Sequence, residues 1–116
     1  MNKNDNPIID KSIQFALKII EYSELLESHK KYVIAKQLIK AGTSIGANIH
    51  EAQSAESKKD FIHKLKIADK EARETEYWLT LCRYSKNYPA PASLQSTLLE
   101  IKKLLSAIIS STVKLM

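Results

Sequence analysis

The sequence predicts an all-α protein, an antiparallel up-down-up-down four-helix bundle. Three observations carry that expectation. The 116 residues include only 2 Gly and 3 Pro, too few for the many tight turns of a β-sandwich or barrel. Apolar residues recur at spacings of three and four through four long segments, roughly 9–27, 30–55, 58–86 and 93–115, and that is the helical period. The joints between the segments are short, and short connections make successive helices antiparallel neighbours. The length suits one domain over 1–116. A hydrophobic share of 44% and a charged share of 27% belong to a folded chain rather than a disordered one.

In the first segment Ile9, Ile13, Ala16 and Ile20 form one stripe, with Phe15, Ile19, Tyr22 and Leu26 on an adjoining one. Ser28 is placed to cap the helix that follows. The second segment carries Ile34, Leu38, Ala41, Ile45, Asn48, Ala52 and Ala55 at alternating spacings of four and three, a heptad seam. Gly42 and Gly46 fall inside it. An interior glycine costs about 1 kcal/mol relative to alanine. Either the helix breaks near residue 42, or Ala41 to Ala47 is a small-residue surface that another helix approaches closely.

The third segment opens at Ser57, with Asp60 three residues later in the place where a capping box has Glu or Gln. Phe61, Leu65, Ala68, Ala72, Thr75, Leu79 and Cys82 then repeat without error, and Ile67, Glu71, Glu74, Trp78 and Leu81 run beside them. A helix with two inward stripes has two neighbours. Asn87-Tyr88-Pro89-Ala90-Pro91 is the clearest loop, and Ser93 is placed to cap the fourth helix. There Leu94, Leu98, Ile101, Leu105, Ile108, Thr112 and Leu115 alternate again, with Leu99, Leu104, Ile109 and Val113 adding apolar surface. Its only charged residues are Glu100, Lys102, Lys103 and Lys114, so part of its surface is expected to be buried against another subunit.

Little catalytic chemistry is legible. His29, His50 and His63 include no pair spaced for a metal on one helical turn. The single cysteine, Cys82, lies on the apolar seam and reads as a small core residue. Gly42-x-x-x-Gly46 lacks the lysine and the strand of a phosphate loop. The expectation is therefore no catalytic residue, no metal, no cofactor and no enzyme. Glu71 and Glu74 share a stripe, and paired carboxylates do acid–base work in some sites. A solvated or salt-bridged face is the plainer reading. A buried polar set of Asn48, Glu51 and Glu74 that fixes helix register fits better, since a polar residue on a packed seam must be hydrogen-bonded and specifies pairing. The start, Met1 to Pro7, is polar without an apolar run, and no stretch of 18 apolar residues occurs. A cytoplasmic protein with no membrane contact is expected.

The 18 basic and 13 acidic residues give a net charge of +5, and it is unevenly placed. Lys30, Lys31, Lys36 and Lys40 have no acid between them, and five lysines from Lys58 to Lys70 face only Asp60 and Asp69. The first helix is acidic. The candidate nucleic-acid-binding residues are thus Lys30, Lys31, Lys36, Lys40, Lys58, Lys59, Lys64 and Lys66, a basic face on helices two and three that would track phosphates by counterion release. An ordinary solvated face is the alternative. With only Arg73 and Arg83 as arginines, base-specific readout is poorly provided for.

At Thr43-Ser-Ile-Gly-Ala-Asn-Ile-His-Glu51 the sequence resembles the four-helix-bundle family encoded in intervening sequences of bacterial 23S ribosomal RNA genes. The family pattern Ser-Ile-x-x-Asn-Ile-x-Glu-Gly is matched by Ser44, Ile45, Asn48, Ile49 and Glu51, with Ala52 where glycine is common. Lys59-Asp60-Phe61, Ile67-Ala68 and Glu74 continue the likeness, which spans about Ser12 to Val113. Ser44, Asn48, Glu51 and Glu74 together make a candidate structural polar motif. The resemblance implies an antiparallel bundle, a ring-like homopentamer and a largely unassigned role. A related branch, the accessory proteins of diversity-generating retroelements, is basic and pentameric and binds a reverse transcriptase and nucleic acid; this sequence is closer to the intervening-sequence branch. Two functions are weighed. One is a non-catalytic oligomer binding RNA, or another nucleic acid, through the basic face. The other is a scaffold that docks a partner protein without nucleic acid, through the small-residue surface and the charge-poor fourth helix.

Overall fold

In a computed structural model, which describes residues 6–116, the chain forms four α-helices: α1 Pro7–Ser28, α2 Tyr32–Ala52, α3 Lys58–Tyr84 and α4 Leu94–Lys114. The polar start read above falls largely on residues outside the described ones. The helices close into a bundle of 48 × 26 × 21 Å. Successive helices touch around the square, α1 also touches α4, and α1–α3 and α2–α4 are the diagonals.

Residue pairs across each joint run in opposite directions. Gly42 faces Ile19 while Gly46 faces Ser12; Lys102 meets Glu76 while Leu115 meets Lys58. Glu51 meets Lys64, and Lys31 meets Tyr88 just beyond the end of α3. Lys11 meets Glu100 and Tyr22 meets Pro89. The core between them holds Phe15, Ile19, Leu26, Leu38, Ile45, Ile49, Leu65, Leu79, Leu98, Ile101 and Leu105, all fully buried. Each such side chain contributes roughly 1.5–3 kcal/mol of burial.

The glycines do not break α2, which is continuous through both. The close approach is made at Gly42 and Gly46, where the neighbour is α1 of the same chain, while Ala47 at the end of the expected surface is exposed. On α1 the second of the two expected stripes faces the core, with Ile8, Ser12 and Ser23 joining Phe15, Ile19, Tyr22 and Leu26; Ile9, Ile13, Ala16 and Ile20 are half-buried. The first stripe of α3 is buried from Leu65 to Cys82.

Two expected caps are not made. Ser28 belongs to the last turn of α1, where its hydroxyl donates to the Leu25 carbonyl at 2.6 Å. Lys30 then takes a left-handed φ of 64°, so α2 starts at Tyr32 rather than near residue 30, with no side-chain cap. Ser93 does sit at the cap position of α4, but its side chain makes no cap bond. The Ser57 cap forms: its Oγ accepts the Asp60 N–H at 3.0 Å. The Asp60 carboxylate reaches back to the N–H of Glu56 at 3.2 Å, one residue earlier than in a standard capping box. Asn87, at φ 65°, turns the chain away after α3. Among the described residues no helix is long and apolar enough to cross a membrane.

Candidate nucleic-acid interface

The helical period places one side of α3 directly opposite its core side. Leu65, Ala68, Ala72, Thr75, Leu79 and Cys82 point inward. On the outward side stand Lys59, His63, Lys66, Lys70, Arg73, Tyr77, Leu81 and Tyr84, spaced by three and four, and all are exposed. Two carboxylates border this stripe, exposed Glu74 between Lys70 and Tyr77 and Asp69 beside Arg73. Its first half is basic and its second half aromatic and apolar. A helix of 27 residues is about 40 Å long, so the stripe runs most of the length of the bundle.

Local contacts hold the stripe's side chains. Arg73 donates from Nε to Asp69 Oδ2 at 3.0 Å, a carboxylate on the flank towards α4 that raises the arginine's pKa further. The Tyr77 ring meets the half-buried Trp78 edge-on, with centroids 5.3 Å apart and planes at 62°. Trp78 in turn donates from Nε1 to Glu74 at 3.2 Å. The Arg83 guanidinium lies 5.3 Å from the centre of the Tyr84 ring.

The eight lysines expected to form one basic face are divided. Lys59 and Lys66 stand on the outward stripe. Lys64 turns towards α2 and pairs with Glu51 at 3.1 Å, and that carboxylate raises its pKa. Lys58 directs its Nζ to the Leu115 carbonyl at 3.5 Å. The α2 lysines lie elsewhere, because antiparallel packing reverses the order. Counting back from Glu51 and forward from Lys64 sets Lys40 level with Thr75 and Lys36 level with Leu79, at the height of the aromatic half of α3. Lys30 and Lys31 lie at that same end, Lys31 with its Nζ 4.9 Å from the centre of the Tyr88 ring. Among the described residues no carboxylate lies within ion-pairing distance of Lys36, Lys40, Lys59, Lys66 or Lys70. Lys70, Arg73, Tyr77 and Tyr84 were not among the sequence candidates. Their shared spacing was the available signal, and it becomes legible once the buried side of α3 is known.

The polar motif is not the buried network expected of it. Ser44, Asn48 and Glu51 do share one stripe of α2. Ser44 Oγ donates to the Lys40 carbonyl at 2.7 Å, and half-buried Asn48 donates from Nδ2 to the Ser44 carbonyl at 2.9 Å. Glu51 and Glu74 are exposed and are satisfied by Lys64 and Trp78. Each residue thus bonds within its own helix or at the surface. Ala41, Gly42, Ile45 and Gly46 are buried against the rest of the bundle, so they offer nothing to a docking partner.

Cys82 is buried, and burial pushes its thiol pKa up, partly opposed by the Tyr22 hydroxyl beside it. Such a thiol stays protonated and inert. Among the described residues no three His, Cys, Asp or Glu side chains come close enough together to hold a metal ion.

A family model described as 23S rRNA-intervening sequence protein matches residues 4–110. The chain is also similar to the crystal structure of a protein with unknown function from the S23 ribosomal protein family of Bacteroides thetaiotaomicron. The two are 47% identical, the match covers 88% of this chain and 97% of that one, and the TM-score is 0.82. No curated protein matches the chain.

Proposed function

The chain belongs to the 23S rRNA-intervening sequence protein family, and from that premise we propose that it is a non-catalytic, oligomeric, cytoplasmic protein that binds nucleic acid, RNA in particular. The observation that carries this reading is the outward side of α3, where exposed Lys59, Lys66 and Lys70 have no carboxylate within ion-pairing distance and Arg73, paired with Asp69, continues the row. A row of exposed cations, three of them without an ion-pair partner, attracts a polyanion and releases its counterions. The lysines of α2 add to the same field from the next helix. Binding of a labelled RNA, followed by anisotropy against salt, tests the reading. Affinity should fall steeply as salt rises, and changing Lys59, Lys66 and Lys70 to Glu should abolish most of it. Absence of binding at low salt overturns the proposal.

The oligomer forms part of the same reading. Leu99 and Val113 remain 48% and 50% exposed on α4, among serines and alanine and with few charges, a surface suited to another subunit. The ring of five is proposed from the family resemblance. Light scattering should give a mass several times 13.2 kDa; a monomer at micromolar concentration refutes it. The same α4 surface favours the second reading, a scaffold docking a partner protein without nucleic acid. A pull-down that recovers a protein partner after nuclease treatment, from a chain that binds no RNA, would select it.

A further inference from the structure

We infer that the nucleic acid taken by α3 is single-stranded, its backbone following Lys59, Lys66, Lys70 and Arg73 and its unpaired bases stacking on Tyr77 and Tyr84. The inference rests on the nucleic-acid reading above and adds the class of strand.

Two features of the stripe point to it. The first is the sequence of chemistries along one helix face. A duplex presents phosphates along its whole length and keeps its bases inside, so a purely basic track would serve it. Here the track changes halfway to exposed rings, Tyr77 57% and Tyr84 73% exposed, with Leu81 between them. Positive grooves joined to aromatic platforms are how proteins hold single strands without sequence preference, because every base has a π-face. The lone arginine on the stripe leaves little for reading base edges.

The second feature is that the platform is already arranged and still sits in a positive field. Trp78 meets Tyr77 edge-on, and Arg83 lies against Tyr84, so both rings have a neighbour that limits their motion before any ligand arrives, which reduces the ordering cost of binding. Lys36 and Lys40 stand level with this half of α3, so phosphates running past the stacked bases still meet cations. Of the nearest acids, Glu76 is paired with Lys102 at 2.7 Å, while Glu74 accepts from the neutral indole of Trp78 and keeps its charge. Tyr77 and Tyr84 are about 10 Å apart along the helix axis, far enough to receive different bases of one strand.

The test compares an unstructured 12-nucleotide oligouridine with a blunt 12-base-pair RNA duplex, using the full chain in 50 mM salt. Wild type should bind the single strand at least tenfold more tightly than the duplex. Tyr77→Ala with Tyr84→Ala should lose about a hundredfold on the single strand and nothing on the duplex, while Tyr77→Phe with Tyr84→Phe keeps its affinity. Lys59→Glu with Lys66→Glu and Lys70→Glu should lose both probes. Equal binding of the two probes, unaffected by the alanine changes, overturns the single-strand inference and leaves nucleic-acid binding standing. Failure of both probes to bind overturns both. Alanine variants that lower the mass seen by light scattering yet retain RNA affinity make the aromatic half a subunit contact, which also overturns the inference.

Discussion

Ile19 of α1 sits so close to Gly42 of α2 that a Cβ at position 42 would lie 2.8 Å from its Cγ2 and 2.9 Å from its Cγ1. Both atoms branch directly from the Cβ of a fully buried residue, so neither swings aside. Gly42→Ala should therefore destabilise the fold by about 1–2 kcal/mol, overpacking outweighing the helix-propensity gain. At Gly46 the nearest contacts are Ser12 Oγ at 3.4 Å and Ser12 Cβ at 3.5 Å, which is ordinary contact. Gly46→Ala should stabilise by up to about 1 kcal/mol. Urea midpoints that move in the same direction for both variants would contradict this account of α1–α2 packing.

Ser23 is 3% exposed and its hydroxyl has no hydrogen-bond partner. An unpaired buried hydroxyl carries a desolvation penalty of about 1–3 kcal/mol. Ser23→Ala should raise stability by about 1 kcal/mol, read as a higher thermal midpoint. Thr75 is the internal contrast, since its Oγ1 donates to the Glu71 carbonyl at 2.7 Å.

Ser57 makes the one side-chain cap seen at a helix start among the described residues. Ser57→Ala should cost about 1 kcal/mol. The same change at Ser28, whose hydroxyl bonds backwards into α1, should leave α2 unaffected. Amide exchange at the first turns of α3 and α2 distinguishes the two.

Tyr22 donates to the Pro89 carbonyl at 2.6 Å and lies beside Cys82. Burial, then the neighbouring thiol, raises the Tyr22 pKa, and burial raises that of Cys82. Both groups hold their protons more tightly folded than unfolded. The stability they contribute is complete below the unfolded values, about 8.5 for the thiol and about 10 for the phenol, and is lost as pH rises past them. The urea midpoint should fall between pH 8 and pH 11. Cys82→Ala should flatten the earlier part of that fall and Tyr22→Phe the later part; an unchanged pH profile in both variants would refute the assignment.

Charge reversal should sort the α3 lysines by direction. Lys59→Glu and Lys66→Glu, on the outward stripe, should each reduce the log–log salt slope of RNA binding by about 0.7. Lys58→Glu and Lys64→Glu point to α4 and α2 and should change it much less. Equal effects at all four positions would mean that net charge, not the stripe, governs binding.

The four helices were legible because burial imposes a period. Leu65, Ala68, Ala72, Thr75, Leu79 and Cys82 repeat at the helical spacing, and a face that must leave water can be read from residue order alone. The Asn87 to Pro91 loop and the Ser57 cap were legible for a similar reason, since both depend on local chemistry. The use of Gly42 was only half legible: its place on the seam announced close packing, but not that α1 supplies the neighbour. The depth of the polar motif was not legible, because a heptad position does not specify depth, and Glu51 and Glu74 lie far enough round their helices to reach water.

The charge pattern shows most clearly where sequence stops. Residue order by itself determined that lysines gather on the second and third helices. Only the tertiary structure decided how these lie together. Antiparallel packing sets Lys36 and Lys40 level with the end of α3 that carries Tyr77 and Tyr84 instead of the end with Lys59 and Lys66, and the direction in which the core lies makes Lys59 face solvent while Lys64 turns to Glu51. The physical reason is that burial is a property of one helix face, whereas a surface site is the sum of faces from different helices. Their relative direction and register arise only when the core closes.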